Sequence, residues 1–215
     1  EALAAQGEEG PFEIRDLWFL RPLVVRDDAP RDIRVRLARS DEGYAMEVLS
    51  ATESGGRPAF ERNAQARIAL TPLAPPAPLD LAALEARCSA RVAEAPEGMA
   101  SAQETHLTFG PRWRVLTRTA LGAGEGVARL RLARAAAQDR GFALHPALLD
   151  IATGWAMDLI EGYDPGHLWV PMGYGAIRVH RPLPAEIVSW VRNAGENRAE
   201  GEAARFDVTL AAPDG

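Results

Sequence analysis

The chain has 215 residues, of which 47% are hydrophobic, and a formal net charge of −6. This length and apolar content suit a buried core, in one large domain or two small ones. Acidic and basic residues are interspersed, so extended nucleic-acid binding is not expected, and no apolar run approaches the roughly 20 residues that cross a bilayer.

The basic residues and the single cysteine exclude several kinds of active site and an internal disulfide. All 24 basic residues are arginines, which excludes a Schiff-base lysine, a lysine general base and the lysine of a phosphate-binding P-loop. The single cysteine, Cys88, cannot form an internal disulfide, which fits a reducing cytoplasm.

The first third of the chain alternates apolar and polar residues between turn signals, a pattern typical of β-strands. We predict an antiparallel meander of four strands: Phe12–Leu20, Asp32–Arg39, Tyr44–Ala51 and Ala59–Leu70. The proline-rich segment Thr71–Pro78 then predicts a stiff linker, because proline fixes φ and removes a hydrogen-bond donor. A helix is predicted over Leu79–Ala95, with Asp80 near its start and Pro96 after its end.

The second part of the chain contains the longest apolar helix pattern. Glycines 122, 124 and 126 lack the context and spacing of a dinucleotide-binding loop and indicate a hairpin turn. The helix is predicted from about Pro146 to Ile160. Strands are predicted at Trp113–Ala120, Gly126–Ala133, Ile177–His180, Ile187–Asn193 and Ala204–Ala211.

An imperfect internal repeat connects the two parts. Arg15–Leu23 returns as Gly175–Leu183, and both copies end in Arg-Pro-Leu. Such self-similarity indicates duplicated units. The second copy follows the long helix pattern, whereas only about a dozen residues precede the first, so we expect the chain to begin inside its first unit.

One acidic residue stands out as a candidate for proton transfer. The sequence contains no His-Glu-x-x-His, no Gly-x-Ser-x-Gly and no cysteine pair, so no metal site or serine nucleophile is predicted. Asp150 follows His145-Pro146-Ala147-Leu148-Leu149 in an apolar helix pattern. A carboxylate there is costly unless it is hydrogen-bonded, placed against the helix dipole or protonated. It is either a capping-type carboxylate of the first turn or a general acid, and the two readings remain open.

Four segments together resemble the dehydratase domain of modular polyketide synthases. The helix motif His-Pro-Ala-Leu-Leu-Asp, ending at Asp150, is the most specific of them. The supporting segments are Phe19–Leu23, Phe109–Trp113 and Phe206–Leu210. Of these, Phe109–Trp113 matches a Tyr-Gly-Pro-x-Phe motif of the family. The resemblance implies an α+β double hotdog, in which two helices are each wrapped by an antiparallel sheet. It divides the chain into the rest of a first hotdog at 1–71, a linker and helix at 72–97, and a second hotdog at 98–215.

Three departures from the family pattern bear on activity. The catalytic histidine of the family lies just upstream of the first helix, and Glu1–Ala5 resembles the tail of that helix, so the histidine is expected before residue 1. Gly154 replaces the glutamine or histidine that the family places four residues after the aspartate. Phe109 replaces a tyrosine and lacks its hydroxyl.

The resemblance also implies a reaction and its partners. The expected reaction is removal of water from a β-hydroxyacyl thioester, with a histidine as base and Asp150 as acid. The substrate would be carried on the phosphopantetheine of an acyl carrier protein, with no cofactor bound directly. Neighbouring synthase domains and a second copy of the chain are the other expected partners, and neither nucleic acid nor a membrane is expected.

Six residues are expected to contact the substrate. Asp150 is expected to face an apolar tunnel at the junction of the two units, and His145 is expected mainly to order the helix entrance. The predicted substrate-binding residues are Phe109, Gly110, Pro111, Gly154, Met172 and Tyr174. His106, His167 and His180 have no metal-ligand spacing and are interpreted as structural or exposed.

Two other functions remain compatible with this fold. Without a partner at position 154, the domain could act as an enoyl double-bond isomerase in which a histidine alone moves the proton. Alternatively, it could be a non-catalytic scaffold that dimerises.

Overall fold

The computed structural model describes residues 2–70, 72–133, 136, 139, 141–201 and 203–215, and only the backbone of Ser54. The chain forms two compact units. The first comprises Glu1–Pro76 and Val170–Arg181, and the second comprises Ala77–Trp169 and Pro182–Gly215. The boundary after Pro76 lies inside the predicted proline linker, of which Thr71 is outside the described residues. No helix of the described residues is long and apolar enough to span a bilayer.

The first unit is an antiparallel sheet of five strands in the order β2-β3-β4-β1-β8. Within residues 2–70 and 170–181 the only helical segment is a 3-10 turn at Ala4–Gln6, where a helix tail was expected. Glu1, the first residue of that expected tail, is not described. The strands are β1 (Phe12–Phe19), β2 (Ile33–Ser40), β3 (Gly43–Ser54), β4 (Arg57–Ala69) and β8 (Gly173–Val179).

The predicted strands are found, but the predicted four-stranded meander is wrong in one connection. Strands β2, β3 and β4 pair in sequence order, whereas β1 pairs with β4 on the far side of the sheet. The backbone N–H groups of Leu20 and Arg21 both donate to the carbonyl of Asn63, which directs the chain away from β4 after β1 ends. The long segment that follows leads to β2 at the sheet edge.

The strand segments of the two repeat copies lie side by side in one sheet, as β1 and β8, and the expected division into hotdogs at 1–71 and 98–215 stays a prediction. Strand β8 pairs antiparallel with β1, so Val170–Arg181 belongs to the first unit. The register has a local two-fold symmetry: Ile14 pairs with Ile177, and Leu17 pairs with Tyr174. Leu17 and Ile177 are equivalent in the repeat, and Ile14 and Tyr174 occupy the equivalent positions directly before its two copies. Exchanging the copies therefore converts one pair into the other.

The second unit combines a five-stranded antiparallel sheet with two short helices. Its strand order is β10-β9-β7-β6-β5. Strands β6 and β7 form the predicted hairpin, closed by a hydrogen bond from Gly122 N–H to the Glu125 carbonyl at 2.8 Å. The elements are α1 (Leu81–Arg87), β5 (Arg91–Glu94), β6 (Leu116–Leu121), β7 (Glu125–Arg131), α2 (Pro146–Gly154), β9 (Glu186–Asn193) and β10 (Phe206–Ala211).

Both predicted helices of this unit are shorter than expected, and the expected linker and helix at 72–97 contains a strand. Asp80 caps α1, accepting from Ala83 N–H at 2.9 Å, but the helix ends at Arg87. Strand β5 follows because pairing with β6 satisfies its backbone groups, an energetic gain that overrides helix propensity. Helix α2 ends at Gly154, and a separate 3-10 turn, Met157–Leu159, takes up the rest of the predicted helix.

The core of the second unit is the interface between α2 and the sheet. Four apolar residues that share one face of α2 are buried: Ala147, Leu148, Ile151 and Ala152. They pack in one cluster with residues of β6, β7 and β9, among them Leu130, Ile187 and Val191. Leu148, Leu130 and Ile187 are fully buried. Burial of this helix face stabilises a helix that is too short to persist alone.

Replacing Leu148 by Ala should destabilise the chain by about 3 kcal/mol, because it leaves a cavity in this cluster. The matched control is Leu107→Ala, at a leucine that is 42% exposed, where the change should stay within about 0.5 kcal/mol. Urea unfolding followed by circular dichroism measures both variants. Equal effects of the two substitutions would contradict the assigned core.

A buried carboxylate joins β1 to β8 in the first unit. Glu13 accepts from Arg15 Nε at 2.8 Å and pairs with Arg178 Nε at 3.0 Å across the ladder. Its side chain is 7% exposed, while those of the two arginines are 33% and 64% exposed. The hydrogen bond from Arg15 and the charges of both arginines lower the pKa of Glu13 below its ordinary value of 4.5, against the opposing effect of burial.

We predict that Glu13→Gln destabilises the chain by about 1 kcal/mol at neutral pH, a modest value because the arginines are solvated. Since the pKa of Glu13 is lowered on folding, its contribution is present above 4.5 and is lost as pH falls through the folded-state value. The difference between variant and parent should therefore close on acidification. Urea unfolding at a series of pH values tests this.

The control is Glu42→Gln, which removes a 65% exposed partner of the same arginine, Arg15, and should have a smaller effect. A stability difference for Glu13→Gln that stays constant down to pH 3 would exclude the carboxylate as its source.

Candidate active site

The entrance to α2 is fixed by a histidine and a proline. His145 is buried and caps the helix, because its Nδ1 accepts a hydrogen bond from Ala147 N–H at 3.3 Å. Pro146 occupies the first helical position, where its missing N–H costs nothing. An acceptor Nδ1 leaves the proton on Nε2, which lies 3.6 Å from the carboxylate of Asp139. His145 therefore orders the helix entrance, as predicted.

Asp150 is not a capping residue of the first turn, which settles one of the two readings of this carboxylate. The capping acceptor is His145, and Asp150 lies in the following turn of the helix. Because the buried residues of α2 face the sheet, Asp150 lies outside the core and its side chain is exposed. The apolar surroundings that the sequence suggested belong to its helix neighbours, and the carboxylate avoids the desolvation cost of their core.

The carboxylate of Asp150 is held by a tryptophan from another segment. The indole Nε1 of Trp113 donates to Asp150 Oδ2 at 2.8 Å. Trp113 ends the 3-10 turn Pro111–Trp113, and its half-buried ring packs against the core cluster of the second unit. This segment is the second half of the Phe109–Trp113 motif. The structure thus brings two motifs, 37 residues apart, into direct contact.

The position expected to support Asp150 from within the helix carries no side chain. Gly154 is the last residue of α2 and lies one helical turn beyond Asp150, where residues four apart are neighbours. Apart from its chain neighbours and the backbone of its own helix, a Cβ placed on Gly154 would meet no atom within 4 Å. No other element therefore packs against the Cβ position of Gly154.

The other predicted substrate-binding residues fall into both units. Phe109 is half-buried, Gly110 is the N-cap of the 3-10 turn, and Pro111 is its first residue. Met172, in the first unit, is exposed and its carbonyl accepts from Phe19 N–H at 3.0 Å.

Tyr174, also in the first unit, lies in β8. Its ring is edge-on to the ring of Phe19, with 6.1 Å between the two ring centroids. Substrate contact by Met172, Tyr174 or any of the other predicted residues stays a prediction, as does the tunnel.

Two of the remaining histidines have structural partners, in line with their interpretation. His106 Nε2 lies 2.9 Å from the Pro165 carbonyl, and His167 Nδ1 lies 3.0 Å from Asp164 Oδ2. His180 is half-buried and follows the last residue of β8.

Trp113 is the functional candidate that the sequence did not single out. In the sequence it is only the last residue of a matched motif. The available signal was chemical: an indole at a position where the family motif has phenylalanine adds a hydrogen-bond donor to an apolar ring. Sequence alone did not show that this donor points at Asp150.

Known proteins with similar sequences include a bacterial polyketide synthase. The chain is 22% identical over 216 residues to polyketide synthase PksM of Bacillus subtilis (strain 168). This match covers 97% of the chain and only 5% of the synthase. The chain thus corresponds to a small part of that relative.

Solved structures of dehydratases have the same fold as this chain. The CurJ dehydratase, as an inactive mutant in which phenylalanine replaces a histidine, matches 100% of the chain and 74% of its own length, with 16% identity and a TM-score of 0.84. The CurK dehydratase, as an inactive mutant in which asparagine replaces an aspartate, matches 100% and 76%, with 18% identity and a TM-score of 0.78. The predicted double hotdog is confirmed.

A protein described as an isomerase shares the fold as well. The enoyl-isomerase of a trans-acyltransferase polyketide synthase matches 99% of the chain and 78% of its own length, with 12% identity and a TM-score of 0.74.

The family itself is established by sequence. The model of the polyketide synthase dehydratase N-terminal domain matches residues 76–215, which is more than half of the chain and includes both α2 and the Phe109–Trp113 motif. This chain belongs to the polyketide synthase dehydratase family.

Proposed function

We propose that the chain dehydrates a β-hydroxyacyl thioester, with Asp150 as the proton donor. The observation that carries the proposal is the placement of Asp150 on the solvent side of α2, with one carboxylate oxygen bonded to Trp113. Its helix is anchored by the core, so the acid is presented from a rigid element. A general acid needs such a position to reach a leaving group.

The proposed reaction balances without a further reactant. A base removes the α-proton, and the electron pair of that C–H bond forms the α,β double bond. The β-carbon to oxygen bond breaks, and the departing hydroxyl takes a proton from the carboxylic acid of Asp150. The products are water and an α,β-enoyl thioester. Return of a proton from the base to Asp150 restores both groups.

The hydrogen bond from Trp113 suits both protonation states of this acid. An indole N–H is only a donor, so it needs an acceptor oxygen and supplies no proton itself. A carboxylate offers two such oxygens, and a protonated carboxyl still offers its carbonyl oxygen. Oδ2 can therefore remain bonded to Trp113 while Oδ1 carries the transferred proton.

The proposed base is a histidine, as the resemblance implies. In support, the CurJ and CurK dehydratases are described as inactive when a histidine or an aspartate is replaced. In this chain, His145 is used as a helix cap, and His106 and His167 pair with loop groups. None of these three is assigned the role of base.

The proposal includes the partners that the resemblance implies. The β-hydroxyacyl group would arrive on the phosphopantetheine of an acyl carrier protein, and the neighbours would be other synthase domains. No cofactor takes part in the proposed elimination. Pairing of the chain with a second copy also stays a prediction.

Double-bond isomerisation is the second candidate. Gly154, which provides no side chain beside the acid, favours it, and the fold is shared with the enoyl-isomerase. An isomerase needs a base to move a proton between the α- and γ-carbons and needs no acid for a leaving hydroxyl. The two reactions therefore differ in their dependence on Asp150.

Asp150→Asn should lower dehydration by about 10²- to 10⁴-fold, because asparagine keeps the shape but cannot donate the acidic proton. The assay uses the full-length protein, a β-hydroxyacyl thioester on the acyl carrier protein, and mass spectrometry for the loss of water. Thermal unfolding should be almost unchanged, since the side chain lies outside the core.

The matched control is Asp158→Asn, at an exposed aspartate in the 3-10 turn after α2, and it should retain activity. Full dehydration by Asp150→Asn would refute the proposal. Isomerisation of an enoyl thioester by both the parent and Asp150→Asn, with no dehydration by the parent, would establish the second candidate. Neither reaction in the parent would favour the scaffold.

A further inference from the structure

The hydrogen bond between Trp113 and Asp150 is made by a donor whose own position is fixed. The backbone N–H of Trp113 donates to the Gly110 carbonyl at 3.0 Å and closes the 3-10 turn. Pro111 restricts the backbone at the start of this turn. The ring packs on the core cluster. The indole nitrogen therefore has little freedom other than to face the Asp150 carboxylate at 2.8 Å.

Asp150 has the opposite character. Its side chain is exposed and lies outside the packed face of α2, so core packing does not select its rotamer. Gly154, on the same helix face, offers no group to restrain it, and the space around its Cβ position is open. The hydrogen bond that holds the carboxylate comes instead from another segment, through Trp113.

We infer that Trp113 is the positioning residue of Asp150, in place of the side chain missing at position 154. This inference rests on the proposed role of Asp150 as the acid. The donor reaches the carboxylate from a neighbouring turn instead of from one turn along the helix. Trp113 orients Asp150 and does not exchange a proton with the substrate.

Replacing Trp113 by Phe tests the orienting role, because phenylalanine keeps most of the packed ring and removes the N–H. Loss of one hydrogen bond to a reacting group should lower kcat about tenfold, since freeing the acid misplaces it. KM should change little, because the substrate-binding surface is kept. The full-length protein and the dehydration assay above are used.

Trp190→Phe is a closely matched control. The indole of Trp190 also donates to a carboxylate at 2.8 Å, that of Glu125, on strands β9 and β7. Its loss removes the same kind of bond without touching Asp150. Dehydration should stay at the parental rate, whereas an equal loss in both variants would show a general effect on the fold and overturn the inference.

A rescue variant separates positioning from packing. Trp113→Phe combined with Gly154→Gln returns a neutral N–H donor to Asp150, now from within the helix. Position 154 tolerates a Cβ, because no other element lies within 4 Å of it and its φ is outside the left-handed region. We expect kcat to recover in the double variant. If Trp113 acted only through packing, a change at position 154 would not restore the rate.

The contact also has a readout that needs no activity. Asp150→Ala removes the acceptor of the Trp113 indole, so its N–H signal in ¹H–¹⁵N spectra should move upfield and exchange faster with solvent. Asp150→Asn keeps an acceptor oxygen and should largely preserve the signal. The indole signals of Trp155 and Trp190, bonded to Ser189 and Glu125, should stay in place.

The two failures are distinguishable. An unchanged Trp113 signal in Asp150→Ala, or an unchanged kcat in Trp113→Phe, would overturn the inference while leaving Asp150 as the acid. A Trp113 signal that responds in a protein without dehydratase activity would instead refute the proposed function and leave the contact standing.

Discussion

The packing of α2 against its sheet is the constraint on which the second unit depends. A helix of nine residues is held by four buried side chains, one of them the fully buried Leu148. The same packing decides which residues remain outside: with Ala147, Leu148, Ile151 and Ala152 facing the sheet, Asp150 and Gly154 fall on the other side. An acid can thus be carried on an apolar helix without the desolvation of a buried charge.

Much of the fold was predictable from local sequence, because strands and turns leave short-range signals. The predicted strands of the first unit match β1 to β4 closely, and Asp80 caps α1 as expected. The errors lie where long-range pairing decides the structure. Arg91–Glu94 lies in a predicted helix but forms a strand paired with β6, and β1 pairs with β4 and not with β2 as a meander would require.

The pairing of β8 with β1 is compatible with the repeat, because the two strands are equivalent copies. The repeat alone does not predict this pairing. Two equivalent strands can pair with each other when the register is symmetric, as the pairs of Ile14 with Ile177 and Leu17 with Tyr174 are. Glu13, bonded to Arg15 of its own strand and to Arg178 of the other, adds charge pairs to this ladder. Sequence similarity identifies equivalent strands, but whether they pair with each other depends on where the chain places them.

The candidate site also combines a residue that a local motif identifies with a residue that only the folded structure brings to it. Asp150 belongs to a contiguous motif and could be named from sequence, whereas its donor, Trp113, is 37 residues away. Under the proposed mechanism a hydrogen-bond donor orients the carboxylate of Asp150, and any segment that reaches the carboxylate can supply that donor. The absence of a side chain at position 154 is therefore compatible with the proposed function, because the indole of Trp113, from a neighbouring turn, also donates to the Asp150 carboxylate.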